Sequence, residues 1–205
     1  MPSTGPMVLM SAPGNPEMPD TTPTMSEDCQ PLIEAATFLD RTIRLFLSQE
    51  GALQVETWIV AVARIAGTVI LIDRLPEDAV AAAGSTVLAE AVDQEGPRLV
   101  RLMLLTLAHL GTPLEEGEIE APEQGTALAQ LSLEDTREKL EPLVFACGRS
   151  HGLSLGSTAD ALMIATALAI HTSAELLAPS RGAGLAVAGL VEGARTMPGP
   201  RSPED

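Results

Sequence analysis

The sequence predicts an all-α protein, a compact bundle of about six to eight helices between disordered N- and C-terminal tails. Hydrophobic residues make up 45% of the 205 residues, which is too many for a chain that is disordered throughout. They recur every three or four residues along most of the chain, the spacing of one helix face. The β-branched or aromatic runs 69–72 and 143–145 both lie inside such helical patterns, so no strand is expected.

The first two helices are the clearest. Ser26 is a suitable N-cap, Pro31 suits a first turn and Gly51 suits a helix end. Between them one apolar stripe runs through Leu32, Ala36, Leu39, Ile43 and Phe46. The second helix has a wider stripe, which predicts burial on most sides, formed by Val55, Ile59, Val62, Ala66 and Val69 with Trp58, Ile65 and Ile72 beside it. Arg64 and Glu56 interrupt this helix. Partial exposure at its edge is the expected position for both, and the alternative is a buried, paired arrangement that would mark a functional pocket.

Pro76 breaks the pattern before the middle of the chain. A short helix is expected over 85–94, closed by Gly96, and Pro97 then opens another that ends at Gly111. The helix that begins at Pro97 is apolar except for a narrow polar strip, which predicts a central position in the bundle. The strip consists of Arg98, Arg101, Thr106 and His109.

The composition changes at residue 112 and divides the chain. Residues 112–131 begin with five Glu, two Pro and two Gly within sixteen positions, as in an acidic linker or an exposed loop. Helical lobes are expected on either side, at 26–111 and 132–197, packed together as one domain. The Pro-rich leader 1–25 and the tail 198–205 are expected to be disordered.

The C-terminal lobe begins with an expected capping box between Ser132 and Asp135, and Pro142 is expected to kink or restart that helix. A second box, Ser157 to Asp160, is expected to start a helix that reaches about residue 178.

The last expected helix, about 181–196, has one face of small residues. This small-residue face consists of Gly182, Ala186, Gly189 and Gly193. Such a face lets another backbone approach closely. The preceding helix, with its own row of Ala161, Ala165 and Ala169, is the expected partner, and self-association is the alternative use. If the face mediates self-association, Gly189→Leu should change the oligomeric state, whereas an internal contact should make it unfold the chain.

Charge and aromatic content exclude several functions. The net charge is −16 and aromatics are 2% of residues, so phosphate backbones and anionic lipids are unfavourable partners. No apolar run is both long enough and uncharged enough to predict a transmembrane helix, and no targeting signal is recognisable at the N-terminus. We therefore expect a cytoplasmic protein. Its Arg-, Ala- and Gly-rich composition favours a bacterial source.

Residues 152–156 read G-x-S-x-G, which resembles the nucleophile elbow of α/β-hydrolases around Ser154. The departures are large, because the preceding residues are polar and no sheet is expected. The available acid and base, Asp160 and His171, fall on one helix. The motif is interpreted as a loop before a helix, and no catalytic residue is assigned.

The same loop offers free backbone amides to an anion or a small molecule. The candidate binding residues there are Arg149, His151, Ser154, Ser157 and, further along, His171. Cys147 and His151 have helical ligand spacing, but no second pair completes a metal site. No metal or cofactor is expected.

Two functions remain. We expect a non-catalytic protein-interaction protein, such as an adaptor, a chaperone-like protein or an assembly subunit. Its partner would be a basic protein, favoured by the charge, or a second copy of the chain. The alternative is a small-molecule or anion-binding protein, enzymatic or not, with its site near the Gly148–Thr158 loop.

Overall fold

The computed structural model describes residues 29–49, 51, 54–75 and 90–197. They contain no β-strand, and the prediction of an all-α bundle is confirmed. The leader 1–25, the cap Ser26, the break at Pro76 and the tail 198–205 lie outside the described residues. The six helices of the described part are α1 (Gln30–Gln49), α2 (Val55–Arg74), α3 (Glu90–His109), α4 (Leu133–Ser150), α5 (Leu155–Thr172) and α6 (Pro179–Arg195), with a 3-10 turn at Glu116–Glu118.

Helix α2 is the centre of the bundle. Every residue from Thr57 to Leu71 is buried, as its two apolar rows predict. The helix packs mainly against α6 and α5. It gives way to extended backbone at Leu75, directly before Pro76, because the residue before a proline is disfavoured in the helical region.

Helix α2 also has the length and hydropathy of a membrane span, and α4 and α5 together would count as a second span bent by 113°. In the described part of the chain, 83% of the most apolar window of α2 is buried inside the protein. A core helix has the same composition as a span, and here the neighbouring helices supply the apolar surroundings.

Helix α1 lies against α5. Its buried side follows the predicted stripe at Ala36, Leu39 and Ile43, whereas Leu32 and Phe46 are only partly buried and Leu47 is fully buried. Gly51, with φ of +69°, stands after the helix, where glycine adopts the left-handed conformation at little cost.

Helix α3 corrects two predictions. It runs without a break through Gly96 and Pro97, where two helices were expected, and the part of the short helix before residue 90 lies outside the described residues. Pro97 removes only one backbone donor, and ion pairs from Glu95 to Arg74 and Arg98 support the same turns. The helix is also not central, because its buried side is a single stripe made of Val92, Leu99, Met103 and Leu107. The predicted end at Gly111 is confirmed by a φ of +84°.

Helices α4 and α5 meet at a tight turn. Ser132 caps α4 by accepting a hydrogen bond from the Asp135 amide at 3.0 Å, and α4 then continues through Pro142 without restarting. The cap of α5 is Ser154 and not Ser157, three residues earlier than predicted. Asp160 pairs instead with Arg98 of α3, at 2.8 Å.

The small-residue face of α6 lies against α2, where α5 was the expected partner. A methyl group on Gly193 would lie 2.0 Å from the Arg64 carbonyl oxygen, and one on Gly189 would lie 3.0 Å from that of Val60. Gly67 of α2 makes the reciprocal close contact with α6, because a methyl group on Gly67 would lie 2.1 Å from the Leu190 carbonyl oxygen. Only Gly182 also faces α5, at Ile170. The two backbones are therefore in direct contact within one chain.

Arg64 is buried, contrary to the expected partial exposure. Its guanidinium forms two hydrogen bonds with Glu192 of α6, at 2.9 and 3.1 Å, and donates to the Leu131 carbonyl at 2.6 Å. The buried charge is thus paired and hydrogen-bonded, the condition under which a buried arginine is tolerated. Glu56, by contrast, is partly exposed as predicted.

A second buried arginine closes the C-terminal end of α6. Arg137 of α4 donates to the carbonyls of Gly193, Thr196 and Met197 at 2.6 to 3.2 Å, and to the Thr68 hydroxyl at 2.9 Å. The last carbonyls of a helix have no partners within the helix, so this side chain acts as a C-cap from a neighbouring helix. Burial lowers the pKa of the Arg137 guanidinium.

The acidic segment is attached to the helices at both ends. The Thr112 hydroxyl is 2.7 Å from His171 Nδ1, and the Gln130 amide donates to the Thr57 hydroxyl at 2.9 Å. In its middle, the Glu120 backbone passes so close to Gly184 of α6 that a methyl group there would lie 1.8 Å from the Glu120 carbonyl oxygen. Whether the segment separates two domains stays a prediction.

Candidate interaction surface on the first helix

The two predicted binding serines at the α4–α5 turn are occupied by the turn's own hydrogen bonds. Ser154 Oγ accepts from the Ser157 amide at 3.1 Å and donates to Ser157 Oγ at 3.0 Å. Gly152, with φ of +66°, lets the chain reverse, and the Leu153 amide bonds to the Gly148 carbonyl at 2.9 Å. Arg149 is exposed on the last turn of α4. The serines therefore act as a helix cap.

Cys147 and His151 do lie together, with Sγ 3.6 Å from Nδ1. The same Nδ1 is 3.0 Å from the Cys147 carbonyl and 3.1 Å from the Ser150 hydroxyl. Burial raises the pKa of the Cys147 thiol, which lowers the fraction present as reactive thiolate. Within the described residues, no group of three His, Cys, Asp or Glu side chains could hold a metal ion.

His171 lies far from this turn. It is in the last turn of α5, whereas Ser154 caps the beginning of the helix. Seventeen residues of helix separate them by about 25 Å at 1.5 Å per residue. Asp160, already paired with Arg98, lies about 16 Å from His171 along the same axis. The structure therefore does not bring Ser154, Asp160 and His171 into one catalytic site, and the five predicted binding residues do not share one pocket. Binding at the turn alone stays a prediction.

The outward side of α1 has a different character. Phe38 is 48% exposed and Leu45 is 59% exposed, two of the four large apolar side chains that protrude most from the described part of the chain. They are seven residues apart and so lie on one helix face. A shallow depression runs beside Phe38. We call the whole patch the α1 surface, made of Ile33, Glu34, Thr37, Phe38, Arg41, Thr42 and Leu45.

Phe38 connects the α1 surface to the α4–α5 turn. Its ring lies 6.3 Å from the His151 ring, centre to centre, at an angle of 46°. The Cys147 thiol below is 4.0 Å from the Ala35 carbonyl on the buried side of α1. The predicted loop residue His151 thus borders this surface, although it was selected for another reason.

The electrostatics of α1 differ from those of the whole chain. The helix holds two acidic and two basic residues and is formally neutral, in a protein of net charge −16. Arg44 lies over the Trp58 ring at 5.3 Å, a cation–π contact. Burial raises the pKa of Asp40 to about 6, although Arg44 and Arg41 act in the opposite direction. The Asp40 Oδ1 is buried without a hydrogen-bond partner among the described residues.

The sequence prediction does not include this surface, because the apolar period of α1 marks only its buried side. A usable signal was present: Phe38 and Leu45 are large apolar residues that do not belong to the row from Leu32 to Phe46. Phe38 is also one of only three phenylalanines in a chain with one tryptophan and no tyrosine. An aromatic residue off the core face, in a chain so poor in aromatics, therefore indicates an exposed contact surface.

Comparison with known proteins gave no relative from which a function could be transferred: no family model, curated protein or solved structure matches the chain.

Proposed function

We propose that the protein is a non-catalytic protein-interaction module of the cytoplasm, an adaptor or assembly subunit, and that the α1 surface is its docking site. The observation that carries the proposal is the exposure of Phe38 and Leu45 in line on one helix. Aromatic and apolar residues are enriched where protein interfaces are most buried. Their exposure in the free chain has a cost in water that a partner would remove.

Two further features support a role in binding. The α1 surface belongs to a helix whose opposite side is held firmly, since Ala35, Ala36, Leu39, Ile43 and Leu47 are all fully buried. A rigid helix loses little conformational freedom when it docks. The net charge of −16 would also speed the approach of a basic partner, so the partner class includes basic proteins as well as a second copy of this chain.

Site-specific photo-crosslinking in the expressing cell tests this proposal. A benzophenone amino acid at position 38 should give a discrete adduct whose partner is identified by mass spectrometry. The matched control is position 105, because Leu105 on α3 is 63% exposed and has no comparable neighbour in line. We expect no discrete adduct there.

Two results would contradict the docking site: no adduct at position 38, or the same adducts at both positions. The purified partner must also lose at least about tenfold in affinity for Phe38→Asp, the loss expected for a central apolar contact.

A further inference from the structure

The α1 surface is self-complementary when it is reversed end to end. Glu34 and Arg41 are both exposed and lie seven residues apart, on the same stripe of the helix. If a second α1 lies antiparallel, with the two-fold axis between Thr37 and Phe38, Glu34 of each copy meets Arg41 of the other. The same register brings the two Phe38 rings together at the centre.

We propose, on the basis of the docking site above, that the occupant of the α1 surface is a second copy of the chain, joined through this antiparallel α1 pair. At each end of the contact, one copy contributes the Glu34 carboxylate and the other contributes the Arg41 guanidinium, with the Phe38 rings between the two ends. A C2 dimer requires such a self-complementary patch.

The charges of the surface favour this partner over a basic protein. The acidic excess of the chain is elsewhere, because α1 is formally neutral. The attraction of a basic partner to Glu34 would be offset by its repulsion from Arg41. Among the described residues Arg41 forms no ion pair, whereas Glu34 accepts a hydrogen bond only from Gln30, at 2.8 Å. At 0.15 M salt the repulsion between acids further than about 8 Å apart is largely screened.

The contact is small. A helix of 20 residues is about 30 Å long, and one face of such a pair buries less than the roughly 1,600 Å² of a standard stable interface. We therefore expect a weak dimer, seen at tens to hundreds of micromolar.

Sedimentation of the full chain at about 5 to 300 μM, in 0.15 M salt, tests the inference. The wild-type mass should rise from 21.4 kDa towards twice that value. Glu34→Arg and Arg41→Glu should each weaken association by at least about tenfold, because each places like charges opposite one another. An equimolar mixture of the two variants should dimerise again, since their surfaces carry opposite charges at both ends. The rescue excludes simple misfolding of either variant.

Glu116→Arg and Arg181→Glu are the matched controls. They make the same changes of charge at exposed positions outside α1 and should leave dimerisation within about twofold.

A wild-type chain that stays monomeric throughout this range would overturn the α1 pair. So would a dimer that is insensitive to both α1 reversals, or two variants that remain monomeric when mixed. None of these results decides the docking site itself, which is tested by the crosslinking at position 38 and by the affinity of the purified partner for Phe38→Asp. An adduct there with a different protein would keep the docking site and reject the second copy.

Discussion

We expect Asp40 to make the stability of the folded chain depend on pH. Its pKa is about 6 in the folded protein, against 3.8 as the ordinary value, because burial disfavours the carboxylate. The folded state therefore holds the proton more tightly, so this group should stabilise the fold below pH 4 and lose that contribution as pH rises through 6. A shift of about two pKa units corresponds to about 2.7 kcal/mol, and solvent screening reduces this because Asp40 is partly exposed. Asp40→Asn should therefore raise the free energy of unfolding at pH 7.5 by about 1 to 2 kcal/mol and change it little at pH 4. Urea denaturation at both pH values measures this.

The control for Asp40 is Glu34→Gln, which removes a negative charge from the exposed side of the same helix. We expect it to change stability by less than about 0.5 kcal/mol at either pH. An Asn variant at position 40 that is no more stable than wild type at pH 7.5 would show that ionised Asp40 is not destabilising.

Arg64 and Glu192 form the second residue-scale prediction. Glu192→Ala leaves the Arg64 guanidinium buried with only the Leu131 carbonyl as acceptor, and should destabilise the fold by about 2 to 3 kcal/mol. Glu192 is 32% exposed, so part of the lost interaction is replaced by water. The double variant Arg64→Met with Glu192→Leu should recover most of this loss. Calorimetry compares the three chains, and a double variant less stable than Glu192→Ala would contradict the argument.

These side-chain partners were beyond the reach of sequence patterns. Arg64 and Glu192 are 128 positions apart, and nothing in the spacing of either helix pairs them. An arginine inside an apolar helix is more often at an exposed edge, but it is also compatible with a buried pair. The choice depends on whether a carboxylate is delivered from elsewhere in the fold, which only the packing of α6 on α2 decides.

At the scale of elements, the direct contact of α2 and α6 predicts opposite results for similar substitutions. Gly193→Ala would place its methyl group 2.0 Å from the Arg64 carbonyl oxygen, so the helices must move apart. We expect a loss of about 1 to 3 kcal/mol or more. Gly156→Ala in α5 meets nothing closer than 3.9 Å and should gain about 0.5 kcal/mol by restricting the unfolded chain. Thermal unfolding of both variants measures these changes in stability. Equal effects of the two substitutions would contradict the close backbone contact between α2 and α6.

The sequence predicted which segments are helical more reliably than where each helix ends or which helices pack together. The apolar period predicted α1 and α2 nearly as they are, because apolar residues recur at helical spacing along most of each helix. Local signals misplaced the start of α5, since Ser154 and Ser157 both resemble caps and only one can precede the first turn. They also divided α3 at Pro97, although one missing donor is tolerated where ion pairs and packing hold the helix.

For the whole molecule, the net charge of −16 should make stability depend on salt. Like charges crowd together on folding, and salt screens this repulsion. We expect the Tm at pH 7.5 to rise as sodium chloride increases from 0.01 to 0.3 M, measured at a concentration low enough to keep the chain monomeric. A Tm that falls would mean that the ion pairs Arg74–Glu95 and Arg98–Asp160 outweigh the general repulsion.

The candidate site shows where sequence reasoning about the whole molecule ends. Charge and composition indicated a binding role, but they did not say which surface binds. The turn around Ser154 contains residue types that can bind ligands or take part in catalysis, but in the folded chain its serines cap helix α5. The α1 surface is identified only from the packed structure, because the exposed residues of α1 are those that its neighbouring helices do not cover.

The backbone contact between α2 and α6 also constrains how this protein can change over generations. A crowded pair of side chains can be relieved by shrinking either one, so second-site suppressors are available. At Gly67 and Gly193 the opposing atoms are carbonyl oxygens, which no substitution can make smaller. A library of double mutants should therefore yield compensating changes for core leucines such as Leu99 and Leu162, and none for these two glycines.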